Sequence, residues 1–166
     1  MHTRLEMSIT QFALLVLCAG QTLGLLVPQH YCDKNFRYAY KDANSYMGIF
    51  TAPTFSLVNS NAVLNWRATF EIEGSRDLFV GPMKTYPNKN DAATNIGKGM
   101  PAEIFVEFVN ITTALPKLIS FSINDQLLCS SAEYGFPKTR ATVRHRMTLT
   151  VKNKRPSPVF QNYGGY

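Results

Sequence analysis

Between Leu64 and Glu73 the chain alternates without a break. Leu64, Trp66, Ala68, Phe70 and Ile72 fall on one side, and Asn65, Arg67, Thr69, Glu71 and Glu73 on the other. An extended backbone sends successive side chains to opposite faces. One apolar and one polar face is the pattern of an antiparallel strand with a core on one side and water on the other. Such a strand needs a second layer to cover its apolar side, and the rest of the chain offers one. Ile104 to Val109 reads as a mostly apolar strand, and Ile119, Phe121 and Ile123 alternate with Ser120, Ser122 and Asn124. Asn124-Asp125 then stands where a tight hairpin turn is needed, before Gln126-Leu127-Leu128-Cys129. Phe36 to Tyr40 and Met47 to Phe50 form an earlier pair across a polar turn, and Val143, His145, Met147, Leu149 and Val151 share one parity near the end. These strands predict an all-β protein: an antiparallel two-sheet, Ig-like β-sandwich. From about Gly81 to Gly99, Pro82, Pro87, Asn88, Asn90, Asn95, Gly97 and Gly99 predict a long loop with at most a brief element, and no helix of convincing period is expected anywhere.

The first residues are of another kind. Arg4 precedes the apolar run Phe12 to Cys18, and small residues follow at Ala19-Gly20 and Gly24. That is the layout of a secretory signal peptide over 1–24, cleaved after Gly20 or Gly24, with an apolar core too short to span a bilayer. No later stretch approaches the length of a membrane helix. The remaining residues fit one domain over 25–155, followed by a Pro/Gly/Tyr-rich flexible tail over 156–166. Cys18 leaves with the leader, so Cys32 and Cys129 remain as an even pair in an oxidising compartment, and a single disulfide between them is expected. A secreted, extracellular product follows.

The sequence holds no catalytic apparatus. His30 and His145 are the histidines that outlast the leader, and His145 shares the parity of Val143, Met147 and Leu149. There is no Gly-x-Ser-x-Gly elbow, no His-Glu-x-x-His helix, no metal-ligand spacing and no phosphate-cradling glycine loop. A paired-carboxylate hydrolase finds little support in Glu71 and Glu73, which read as a solvated face. No enzyme, no metal and no cofactor are therefore expected. Charge says more. The formal net charge is +6, and it stays +6 when Arg4 and Glu6 depart. From Lys138 to Arg155 there are basic residues and no acid. On a strand, Arg140, Arg144, Arg146, Lys152 and Lys154 point one way, with Thr142, Thr148 and Thr150 between them. Neighbours on one face lie roughly 6–7 Å apart, twice the rise per residue. That row suits a linear polyanion, because guanidinium grips sulfate in a bidentate fork; it equally suits an edge strand guarded by charge. Outside the cell the polyanion is a sulfated glycan or matrix and not nucleic acid. Lys152-Asn153-Lys154-Arg155 also resembles a dibasic processing site, which Pro156 should block. Asn110-Ile111-Thr112 is an N-glycosylation sequon just past a predicted strand, and Trp66 reads as a core residue and not a sugar platform.

Tyr31-Cys32-Asp33-Lys34-Asn35-Phe36-Arg37-Tyr38 resembles the Cys-x-x-x-Phe-x-Tyr opening of the N-terminal domain of the gastrulation-defective serine protease family. Tyr46-Met47-Gly48-Ile49 is similar to that domain's aromatic-x-Gly-Ile segment. Leu115-Pro116-Lys117-Leu118 through Ile123-Asn124-Asp125-Gln126-Leu127-Leu128-Cys129 is similar to its Pro-x-Leu…Val-Asn-Gly-x-x-x-Cys ending. The motifs run in order from Cys32 to Cys129. Asn124-Asp125 replaces the usual Asn-Gly, Tyr46 stands for a Trp, and Gly81 to Gly99 matches least. In that family the domain precedes a chymotrypsin-like protease of an extracellular cascade in insect embryos that depends on sulfated matrix. This chain has no Gly-Asp-Ser-Gly-Gly segment. The resemblance thus implies a stand-alone relative of a non-catalytic domain. The expected function is a secreted binding domain that contacts sulfated glycan or extracellular matrix, with a secreted serine protease or zymogen as a second partner. The alternative is an eggshell or reproductive-tract component acting by self-association.

Overall fold

A computed structural model of the chain describes residues 25–42, 45–53 and 62–149. The expected leader over 1–24, the tail over 156–166, and Lys152 and Lys154 lie outside the described residues. The strands are β1 (Phe36–Asp42), β2 (Ser45–Thr51), β3 (Ala62–Glu73), β4 (Lys84–Thr85), β5 (Glu103–Phe108), β6 (Lys117–Ile123), β7 (Gln126–Ser130) and β8 (Lys138–Leu149), with a helix α1 (Lys89–Gly97) between β4 and β5. One sheet has the order β1-β2-β5-β4 and the other β7-β6-β3-β8. The ladders are antiparallel throughout. The protein is therefore the all-β, two-sheet sandwich that the alternation demands.

The two apolar faces meet in a core rich in phenylalanine. Across the sheets, Phe50 of β2 lies 4.8 Å from Phe121 of β6 and 6.0 Å from Phe70 of β3, ring centre to ring centre. Phe108 of β5 meets Phe70 edge-on at 5.5 Å. Leu64, Trp66, Ala68, Phe70 and Ile72 are all buried, as the period of two requires. Trp66 is a core residue stacked on Phe121 at 5.8 Å. Gly48 has a packing reason: a Cβ there would come within 2.6 Å of the Phe36 ring and 3.1 Å of the Phe108 ring. Both rings lie over bare backbone, so a side chain at this position would push them apart.

Local chemistry fixes the ends. Asn124 and Asp125 sit at φ 51° and 62°, the left-handed pair that a two-residue hairpin needs and that Asn and Asp tolerate. Asn124 Oδ1 also accepts the Asn65 N–H at 2.8 Å, and its Nδ2 donates to Val63 O at 3.1 Å, pinning the turn to β3. Cys32, in the turn before β1, is bonded to Cys129 in β7 across 5.4 Å between Cα atoms. The disulfide joins the two sheets.

The segment expected as a loop holds β4 and a helix. Asn88 caps α1, accepting the N–H groups of Asn90 and Asp91 at 3.0 Å each, while its Nδ2 bonds the Asp91 carboxylate at 2.6 Å. This is a reciprocal capping arrangement. Gly99, at φ 85°, ends the element. The helix hid because Asn90, Asp91, Thr94 and Asn95 compete with helical backbone bonds, and it buries only Ala92 outright, so no apolar stripe forms.

Candidate anion-binding face

The outer face of the second sheet is built by the β3–β8 ladder. Its register sets Asn65 opposite Arg146, Arg67 opposite Arg144, Thr69 opposite Thr142, Glu71 opposite Arg140, and Glu73 opposite Lys138. In the middle the Thr69 and Thr142 hydroxyls are hydrogen-bonded at 3.1 Å. The two ends of this ladder differ.

At one end the cations are neutralised. Glu71, expected on a solvated face, has none of its surface exposed. The loop after β7 folds back over it, and the Tyr134 N–H donates to its Oε2 at 2.8 Å. Lys138 Nζ lies 2.8 Å from Oε1, and Arg140 donates to the same oxygen through Nε at 2.9 Å and Nη2 at 2.6 Å. Glu133, from the loop, closes the cluster on both Lys138 and Arg140. Burial alone would raise the Glu71 carboxyl, but the hydrogen bonds from Lys138, the Tyr134 N–H and Arg140 outweigh it and hold it below 4.5. Arg140 is thus held by two carboxylates, and Glu71 is a buried anchor for the loop.

At the other end the β8 arginines have no carboxylate partner among the described residues. Asn65, Trp66, Arg67, Asp125, Arg144, His145 and Arg146 line an open depression of about 360 Å³. The Arg144 and Arg146 side chains make no ion pair or hydrogen bond among the described residues. Arg67 is 3.9 Å from Asp125, a contact that solvent screens because the Asp125 side chain is 95% exposed. Like charges directly opposite each other weaken a sheet, and Arg67 and Arg144 are directly opposite. Strands lie about 4.8 Å apart and same-face neighbours about 6–7 Å apart, so Arg67, Arg144 and Arg146 project from neighbouring positions of one face.

The sequence places Arg144 and Arg146 correctly on this face. It also placed Arg67 on the polar side of β3, but only the strand register brings it to the cluster. His145 points toward the sandwich, half-buried; burial, and secondarily the charge of Lys89, lowers its pKa below 6.5. His30 is structural as well. Its Nδ1 accepts the Cys32 N–H at 3.2 Å, and its ring meets Phe36 and Tyr38 edge-on. Among the described residues no group of three or more His, Cys, Asp or Glu is arranged to hold a metal, and no helix is long and apolar enough to cross a membrane.

Fold and face define a disulfide-closed β-sandwich module with a cationic outer sheet. Residues 30–139 match the family described as serine protease gd N-terminus, and the chain belongs to that family. The matched region is the N-terminal, non-catalytic domain of gd-type proteases. Among curated proteins and solved structures, none matches the chain. The family match ends at the second residue of β8, so Arg67 lies inside it and Arg144 and Arg146 lie beyond.

Proposed function

We propose that the domain is a secreted, non-catalytic binding module that holds a sulfated glycan of the extracellular matrix on the outer face of its second sheet. The observation that carries the reading is the pair Arg144 and Arg146, unpaired and set against Arg67, in a protein whose other strand-borne arginines have carboxylate partners: Arg37 with Glu103, and Arg140 with Glu71 and Glu133. A cluster of like charge with its hydrogen-bonding capacity open is stabilised when an anion enters it. The disulfide and the leader-like residues 1–24 support an oxidising, extracellular setting. Membership in the gd family supports a secreted serine protease or zymogen as a neighbour of the bound glycan. Arg140, expected among the contacts, takes a structural role, and Lys152 and Lys154 extend the basic run beyond the described residues.

The test is salt elution from immobilised heparin of the oxidised protein beside an Arg144→Ala/Arg146→Ala variant and an Arg140→Ala control. Retention well above physiological salt, lost in the double variant and kept in the control, is the expected result. Equal retention of all three proteins would remove the assignment. Salt-resistant self-association without heparin retention would favour the structural alternative.

A further inference from the structure

We infer that Asn110 carries an N-linked glycan, placed so that it leaves the arginine face open. The inference rests on the extracellular reading above. Asn110-Ile111-Thr112 is the only Asn-x-Ser/Thr triplet of the chain. Asn110 is exposed and lies two residues past the end of β5, in a left-handed turn at φ 56°. Arg76 fixes this turn by other groups than the acceptor amide: Nη1 donates to Asn110 O at 3.0 Å, and Nη2 to Thr112 Oγ1 at 3.4 Å. The Asn110 amide makes one long contact, Nδ2 donating to Leu78 O at 3.4 Å.

In the transfer, Nδ2 displaces the pyrophosphate from C1 of a lipid-pyrophosphate oligosaccharide. The C1–N bond forms, the C1–O bond breaks with its electron pair going to the pyrophosphate, and one amide proton is released, with no change of oxidation state. One N–H remains on Nδ2 after the transfer, the number its single contact to Leu78 O uses.

Position follows from the same arginine. The Arg76 N–H donates to Thr139 Oγ1 at 3.1 Å, which ties the sequon to the start of β8. Arg144 lies five residues further along that strand, about 17 Å away at the rise of a strand. The sugar thus sits at the end where Lys138 and Arg140 are already neutralised.

The full chain is expressed in cells with a secretory pathway, once with its own N-terminus and once behind the leader of a known secreted protein. Removal of N-glycans should increase the gel mobility of the exported protein and convert Asn110 to Asp in the peptide mass spectrum. The shift should vanish in Asn110→Gln and Thr112→Ala and persist in Thr112→Ser. An exported, disulfide-bonded protein that shows no shift, or a shift that survives Asn110→Gln, overturns the site. Heparin elution should be the same before and after glycan removal, and a change overturns the placement. Export only behind the added leader would defeat the extracellular reading while leaving the glycan site standing.

Discussion

The two ends of the β3–β8 ladder both carry cations on β8, and those cations have different fates. At the Glu71 end, two carboxylates meet two cations, a loop folds over them, and charge becomes a fastener. At the Arg67 end, Asp125 meets Arg67 alone, Arg144 and Arg146 have no carboxylate among the described residues, and the depression stays open. The strand does not decide which cations are available; the acids opposite and above it do. A buried cation cluster is costly unless fully paired, and an exposed one is retained at a cost to the sheet. The comparison teaches that a basic strand must be read against its cross-strand partners before it is given a footprint.

The strongest way to break the comparison is to remove the buried acid. Glu71→Ala should destabilise the fold by about 3 kcal/mol, since it leaves cations beneath a loop without their central partner. Chemical denaturation reads this directly, and heparin retention of the folded variant should not fall. A pH series sharpens it. The folded Glu71 carboxyl lies below its ordinary 4.5, so its contribution is complete above about that value and is lost as pH falls through the folded one. The stability gap between wild type and Glu71→Gln should therefore be widest at neutral pH and narrow in acid; a gap that ignores pH would mean packing and not charge holds the loop.

At the open end the expected signs reverse. Arg144→Ala/Arg146→Ala should leave stability within about 0.5 kcal/mol and lower the salt-dependence slope of heparin binding by roughly one per guanidinium removed. Arg67→Ala should weaken retention less, because Asp125 already offsets part of its charge, and Asp125→Ala should strengthen it slightly. Smallest of all is Arg140→Ala, for which no measurable loss of retention is expected. If Arg140→Ala matched Arg144→Ala on the column, the two ends would be one continuous site.

Much of this was legible in the chain. Strict alternation from Leu64 to Glu73 sufficed for β3 and its buried face, because period two is a backbone property and needs no knowledge of neighbours. Asn124-Asp125 announced its turn because both residues tolerate the left-handed backbone that a two-residue hairpin needs. The helix Lys89–Gly97 was not legible: its start is capped by Asn88, yet Asn reads as turn wherever an apolar stripe is missing. Glu71 was misread as solvated because its burial comes from Tyr134 and Glu133, more than sixty residues away. Arg67 was missed for a similar reason, since only the register against Arg144 makes it part of a cluster.

The covalent map has a mechanical consequence. The Cys32–Cys129 bond closes a ring that contains β1 to β6 and most of β7, and β8 alone among the described strands lies outside it. Among the described strands it is an edge strand, held by β3 on one side. Among the described residues, tension from the C-terminal side would load the Leu149–Ala62 pair before the rest of the β3–β8 ladder, with no strain on the disulfide ring. The strand bearing the free arginines is thus the one described strand that the disulfide does not tie to the rest, and it is held instead by its ladder to β3, by Met147 and Leu149 in the core and by the clamp on Glu71.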